Sequence, residues 1–368
     1  MGGAARRRDG LNYVADIANR SRTTAVGPLD LGRPPSVWHD REGIARAFLR
    51  VVHVILTVTL NAALDITYRV PELRRHASHR VTEVVERPGG KGLNVARVLA
   101  ALGHDTVVTG FAGGITGEAL RAQIRDAARS AVSGALTDAL VPIAGNTRRT
   151  VGVVDAATGD TTQLNEAGPT IAAAEWNAFT SAYATLLADA SAVALCGSLP
   201  PGVPVGAYAD LVRRARAASV PVLLDTSGEP LHRGIAARPD LVKPNAAELA
   251  ELTGSTEPLR AARAARRRGA HAVAASLGAD GMLAVTSDAA WRAAPPERIA
   301  GNPTGAGDSA VAGLLSAWAE NLPWPDRLAR AVALSAATVR APTAGDFDRP
   351  TYERLLPLVE VAPATAVG

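Results

Sequence analysis

The 368-residue chain has a single cysteine, Cys196, so no disulfide can form within it. That suits a reducing compartment such as the cytoplasm. The surrounding AVALCGSLP reads as the end of a buried strand, with the thiol as a small core hydrophobe. No apolar run reaches the roughly 18–20 residues that span a bilayer. The longest, VVHVILTVTL, has 10 residues and contains His53. Arg6, Arg7 and Arg8 near the start are followed by Asp9 and a polar stretch, not by the apolar segment of an export signal. There is no GxxxxGK[ST] loop, no GxGxxG after a strand, and no metal-ligand spacing among the seven histidines. A P-loop enzyme, a dinucleotide site and a histidine-bound metal are therefore disfavoured.

Lysine is nearly missing as well. Of 39 basic residues only Lys91 and Lys243 are lysines, a bias that replaces lysine by arginine wherever arginine will serve. The two survivors mark places where a compact ammonium matters more than a planar fork. The formal net charge of +4 resides in residues 1–50, which hold nine Arg against five Asp and Glu. Residues 51–368 balance 30 basic against 30 acidic side chains, so the body has no electrostatic footprint for nucleic acid or an anionic membrane.

Residues 1–50 have no sustained period of 2 or 3.6. They read as a disordered extension or as the product of a mis-set start codon, with a short helix near residues 42–49, and the folded body begins near Val51. From there, β-branched runs (VVHVILTVTL, HDTVVTGFA, ASAVALCGS, VPVLLDTS, PDLVKP, HAVAASLG) alternate with Ala/Arg/Leu segments at helical spacing (LNVARVLAALG, EALRAQIRDAARS, AYADLVRRARAAS, LRAARAARRRG). This pattern predicts an α/β fold, a doubly wound and mainly parallel sheet whose ligands sit beyond the carboxyl ends of the strands. Two stretches break the rhythm. Residues 65–88 and 147–166 each read as a hairpin, and together they predict a small separate sheet, a lid over the ligand site. The arginine run RAARAARRRG reads as a solvated helix face.

The motif richest in chemistry is Gly301-Asn302-Pro303-Thr304-Gly305-Ala306-Gly307-Asp308-Ser309, leading into AVAGLLSAWAE. Small residues running into a helix turn backbone N–H groups inward, and the helix dipole adds positive potential. Together they make an anion site that could stabilise a transferring phosphoryl group. Asp308 in the first turn fits an N-terminal cap; beside an anion hole it makes better sense as a base for an attacking hydroxyl. In Arg87-Pro88-Gly89-Gly90-Lys91-Gly92-Leu93-Asn94 the glycines allow close approach of backbone to ligand, and Lys91 and Asn94 supply donors at a helix start. Asp65, closing Asn61-Ala62-Ala63-Leu64-Asp65, could accept hydrogen bonds from two sugar hydroxyls or form a turn. Lys243-Pro244-Asn245-Ala246-Ala247-Glu248 opens a helix after a strand. Its Asn245 and Glu248 fit either a capping box or a place for Glu248 in the outer shell of hydrated Mg²⁺. The Ser276-Leu277-Gly278-Ala279-Asp280-Gly281 stretch is a hairpin turn or a border of the nucleotide.

Taken together, the chain from about Ile55 to its end closely resembles the PfkB carbohydrate kinases of the ribokinase superfamily. TLNAALD, RPGGKGLNVARVLAALG, TR, NEAGP, CGSLPPGVP, KPNAAEL, SLGADG and NPTGAGDS follow the family's order. TLNAALD, GGKGLN and NEAGP look most like its 1-phosphofructokinase and tagatose-6-phosphate kinase branch. The resemblance implies a ribokinase-like sheet with a β lid often used for dimerisation, and an ATP- and Mg²⁺-dependent kinase. It implies Gly305, Ala306 and Gly307 as the anion hole and Asp308 as the base. It places Asp65, Gly89, Gly90, Lys91, Asn94 and Arg148 around the sugar, with a distal phosphate near Lys91 and Arg148. It places Lys243, Asn245, Ser276, Gly278 and Gly281 at ATP, with Glu248 acting on Mg²⁺ through water. Two features depart from the family: NPT precedes GAGD, and residues 1–50 have no counterpart. A sugar-binding regulator without activity is opposed by the intact GAGD. A kinase of neutral sugars or nucleosides is opposed by the charges of Lys91 and Arg148. Fructose 1-phosphate is the expected acceptor; fructose 6-phosphate and tagatose 6-phosphate fit the same anchor-and-base arrangement.

Overall fold

The computed structural model describes residues 54–130 and 134–365. The sequence reading of residues 1–50, including the helix at 42–49, lies outside the described residues. An eleven-stranded sheet carries the body. Its strands are β1 (Val54–Thr59), β4 (Thr106–Gly113), β5 (Leu136–Asp138), β6 (Val141–Ile143), β9 (Ala190–Cys196), β10 (Val222–Asp225), β11 (Leu241–Val242), β12 (Ala272–Ser276), β13 (Met282–Val285), β14 (Ala290–Ala293) and β15 (Val361–Pro363). Their order is β15-β14-β13-β12-β11-β10-β9-β1-β4-β5, with β6 also pairing β4. Strands from β12 across to β5 and β6 run parallel, while β13, β14 and β15 add an antiparallel edge.

The β-branched and alanine-rich strands form this sheet because both of its faces are covered. Successive side chains point to opposite layers. Leu56, Val58, Val193, Leu195, Val222 and Leu224 enter one apolar layer. That layer is completed by α3 (Ala173–Leu186), α4 (Ala207–Ala217), α5 (Gly228–Ala236), α6 (Ala246–Thr253) and α7 (Pro258–Arg267). Ile55, Ala192, Ala194, Cys196 and Leu223 enter the other, against α1 (Lys91–Ala101), α8 (Ala306–Ala319), α9 (Trp324–Thr338) and α10 (Arg349–Leu355). The remaining helix, α2 (Gly114–Ser130), covers the β4–β5 end through Leu120 and Ile124. Cys196 is fully buried and unpaired, and burial pushes its thiol well above the ordinary range. On α7, Leu259, Ala261, Ala262 and Ala265 face the core while Arg263 and Arg267 are exposed, as the solvated-face reading requires.

The two expected hairpins are present. Strands β2 (Ala63–Val70) and β3 (Glu83–Gly89) pair antiparallel, as do β7 (Arg148–Asp155) and β8 (Thr161–Asn165). Parallel pairing of β2 with β7, Ala63 opposite Arg148, joins them into a four-stranded sheet in the order β3-β2-β7-β8. Asp155 ties the hairpins together. Its Oδ2 accepts the Leu73 N–H (3.0 Å) and its Oδ1 accepts the N–H groups of Ala157 (2.8 Å) and Thr158 (3.2 Å). The chain passes from β1 to β4 on one side and from β9 to β10 on the other. The strand order therefore reverses at β1 and β9, where ligands of such sheets bind.

Candidate active site

Helix α8 begins without a side-chain cap. Its N-cap, Gly305, adopts φ 84°, and a Cβ there would lie 2.8 Å from the Ala344 side chain. Only glycine fits both the left-handed backbone and this approach. The N–H groups of Gly307 and Asp308 have no acceptor among the described residues, as expected for a first helical turn open to an anion. The opposing segment is braced by Arg97, which donates to Ala344 O (3.1 Å) and Asp346 Oδ1 (2.8 Å).

Asp308 stands in that first turn, 7% exposed, and accepts a 2.8 Å bond from Asn94 Nδ2 on α1. It caps nothing, so the cap reading does not hold. Burial pushes its carboxyl up to about 6. The Asp225 charge adds to the rise, and Lys91, the Asn94 bond and Lys243 oppose it. Asp65, on β2, is likewise pushed to about 6 by burial, against the Thr150 hydroxyl, Arg148 and Arg97. Its carboxylate occupies the space a Cβ on Gly89 would need, so the side-chain-free backbone of Gly89 is what lets β3 pass. Gly90 follows as the N-cap of α1, ahead of Lys91 and Asn94.

Lys91 and Arg148 line one cavity of about 190 Å³, with Thr59, Asn61, Gly90, Cys196, Gly197, Ser198, Thr226 and Ser227. The small sheet does bring Arg148 over the glycine turn. Arg148 Nε donates to Asn61 O (3.2 Å), and one terminal nitrogen donates to Thr150 Oγ1 (3.3 Å) and Glu166 O (3.2 Å). These bonds fix the plane of its half-buried guanidinium. The cavity wall is held too, since Gly197 O accepts from Tyr208 (3.0 Å) and Thr226 (2.8 Å) hydroxyls. A wider cleft of about 520 Å³ opens between the inner face of the small sheet, including Asp65, Arg87 and Thr150, and residues 300–304 and 339–344.

Lys243, Asn245, Ser276 and Gly278 meet at the ends of β11 and β12. Asn245 and Ser276 form a parallel bridge, and Gly278 and Gly281 lie in the 3-10 turn to β13, which is the hairpin reading of that motif. Asn245 and Glu248 form a complete capping box. Asn245 Oδ1 accepts the Glu248 N–H at 2.8 Å, and Glu248 Oε2 accepts the Asn245 N–H at 2.9 Å. Glu248 Oε1 has no partner among the described residues.

Sequence reasoning missed Asp225. It is 1% exposed at the end of β10, and both lysines of the chain converge on it. Lys91 Nζ lies 3.4 Å from both of its carboxylate oxygens, and Lys243 Nζ lies 3.4 Å from Oδ1. The Asp225 charge holds the Lys91 ammonium above its ordinary range. The available signal was the lysine scarcity itself, since two retained ammonium groups need a counter-charge. Ser198, in GSLPPG after β9, was also passed over.

Residues 58–351 match the family described as pfkB family carbohydrate kinase. The chain belongs to that family. It is 40% identical over 290 residues to a 1-phosphofructokinase of Rhodobacter capsulatus, covering 77% of this chain and 90% of that one. Phosphofructokinase-2 of Escherichia coli in complex with fructose-6-phosphate superposes with TM-score 0.74 at 29% identity, covering 82% of this chain and 99% of that one. A possible 1-phosphofructokinase of Thermotoga maritima gives TM-score 0.76 at 26% identity over 85% and 100% of the two chains. The protein is thus a phosphofructokinase-type sugar kinase that moves a phosphoryl group to an alcohol, and ATP use follows from the family.

Proposed function

We propose that this kinase is an ATP-dependent 1-phosphofructokinase, converting fructose 1-phosphate to fructose 1,6-bisphosphate. The observation that carries the reading is the shared cavity of Lys91 and Arg148 close to the buried Asp308. A cationic anchor there would hold the 1-phosphate while the free hydroxymethyl faces the base. Asp65, Gly89, Gly90 and Asn94 would hold the ring. Asp308 accepts the hydroxyl proton as the oxygen bonds to the γ-phosphorus and the bond to ADP breaks. The N–H groups of Gly307 and Asp308, without an acceptor among the described residues, would face the charge that spreads over the transferring group, whereas the Ala306 N–H expected beside them is taken by Pro303 O (3.1 Å). Lys243, Asn245, Ser276, Gly278 and Gly281 would hold the nucleotide.

Mg²⁺ fits this site as a largely hydrated ion carried on the phosphates. Among the described residues no group of three or more His, Cys, Asp or Glu side chains could hold a metal. Glu248, with Oε1 free, would hold Mg²⁺ through water. When bound, the ion would neutralise phosphate charge.

The small sheet serves as a lid in this reading, and its outer face as a homodimer contact. Strand alternation puts Asp65 and Thr67 on the cleft side and Tyr68 on the other, with Val84 and Leu164 (56% and 60% exposed). In this reading the kinase domain comprises residues 51–368. No described helix is long and apolar enough to cross a membrane, which fits a cytoplasmic enzyme.

Steady-state kinetics with ATP and fructose 1-phosphate, fructose 6-phosphate, tagatose 6-phosphate and free fructose test the assignment. Fructose 1-phosphate should give the highest kcat/KM. A preference for either 6-phosphate reassigns the acceptor, and a preference for free fructose removes the anchor role.

A further inference from the structure

We propose that Asp225 is a positioning residue for phosphoryl transfer, whose buried carboxylate holds the Lys91 and Lys243 ammonium groups together where the sugar-side and nucleotide-side motifs meet. The proposal rests on the kinase reading above and adds to it a residue that touches neither substrate.

The two lysines come from opposite halves of the site. Lys91 opens α1 after the glycine turn and lines the small cavity with Arg148. Lys243 follows β11, and its Nζ lies 3.6 Å from where a Cβ on Gly307 would stand, beside the open start of α8. A phosphoryl group leaving the nucleotide for the sugar moves from the Lys243 side to the Lys91 side. Two cations in so small a space repel each other, and water would draw the half-exposed Lys91 outward. Asp225 opposes both tendencies, because among the described residues its carboxylate forms ion pairs with these two lysines alone, Lys91 also donating hydrogen bonds to it. The backbone keeps the carboxylate in place, with Asp225 O accepting the Gly197 N–H at 2.9 Å.

A purely structural ion pair would need only one of these cations. Lys243 is 4% exposed and could neutralise Asp225 unaided, whereas Lys91 is 40% exposed and could be solvated. The trio leaves a net charge of +1 facing the path of an anion. Asp308 on α8, Glu248 on α6 and Cys196 on β9 are the other titratable groups that bear on Lys91 there. Asp225 also sets the base: its charge lifts the Asp308 carboxyl, while the two lysines lower it.

The test uses the full chain with ATP and the preferred sugar phosphate. Asp225→Asn and Asp225→Glu should each lower kcat about 10–100-fold, the scale of lost bonds to charged groups. Combining Asp225→Asn with Lys91→Met or Lys243→Met should lose less than the product of the single losses, because one interaction is removed twice. The acid limb of the kcat/KM profile should move to lower pH in Asp225→Asn, which an inert structural pair would not cause. If Asp225→Asn does not fold, Asp225→Glu decides, since it keeps the charge and displaces both ammonium groups. Wild-type kcat (within about twofold) in Asp225→Glu overturns the proposal. So do fully multiplicative losses with an unmoved acid limb. A wild-type protein with no sugar-kinase turnover would instead overturn the functional reading, and this proposal with it.

Discussion

Asp308 is set against the stability of the molecule that carries it. A base must be ionised, yet burial raises its carboxyl from 3.8 to about 6. Turnover should therefore fall as pH drops through about 6, with Asp65 titrating in the same window. Stability has the opposite sign. A carboxyl raised on folding favours the folded state fully below 3.8, and that benefit is lost as pH rises through about 6. Asp308→Asn should lower kcat roughly 10²–10⁴-fold, yet melt higher than wild type at pH 8, with the gap closing by pH 4. Turnover assays and melting curves across this range check both halves, and a variant keeping half of its turnover removes Asp308 from the role. Arg148 makes a separate prediction. Its guanidinium is already oriented by Asn61 O and Glu166 O. Arg148→Ala should lower kcat/KM for a sugar phosphate by about 10–150-fold, leave the KM for ATP unchanged, and narrow the preference over the unphosphorylated sugar. Equal losses for both sugar forms would refute the anchor.

At the scale of elements, one substitution separates the capping box of Glu248 from its proposed hold on Mg²⁺. Glutamine at the third helical position completes a capping box as glutamate does, so Glu248→Gln should leave the melting temperature unchanged. It should raise the Mg²⁺ concentration needed for half-maximal turnover. Asn245→Ala should instead cost about 1 kcal/mol of stability through loss of the cap. An unchanged Mg²⁺ requirement in Glu248→Gln leaves Glu248 as a cap alone. The same elements mark where the sequence was readable. Periodicity exposed the alternating strands and helices, and the two polar-centred hairpins declared themselves by breaking it. Glycine-rich turns into helices marked residues 89–94 and 305–308 because backbone chemistry is written locally. Asp225 was not readable from its own segment, since an aspartate after VLL and before TS is indistinguishable from a turn residue. Its meaning arises only when β10 lies between the strand ends that bring in Lys91 and Lys243. Whether Arg148 meets Lys91 depended likewise on the parallel β2–β7 pairing, a contact across 85 residues of chain.

For the whole molecule, the exposed Val84 and Leu164 put a falsifiable demand on assembly. Replacing both by Asp should shift the particle toward monomer in light scattering while leaving the fold intact, because neither side chain is buried. An unchanged mass would remove the outer face of the small sheet as the contact. Removing residues 1–50 takes the formal net charge from +4 to zero. The chain 51–368 should keep its turnover and melting temperature, and a large loss of either would show that the extension contributes to the body or the site.

The arginine habit of this chain has a practical consequence for chemists. An amine-directed acyl reagent meets only two lysine side chains and the amino group at the start of the chain. Lys243 is sealed at 4% exposure, while Lys91 is reachable but clamped in its protonated, unreactive form by Asp225. Intact mass spectrometry would then read the site as a count: one rapid adduct at the terminus, and a second, slow one at Lys91. A sugar phosphate in the cavity should suppress that second adduct, and loosening the Asp225 clamp should hasten it.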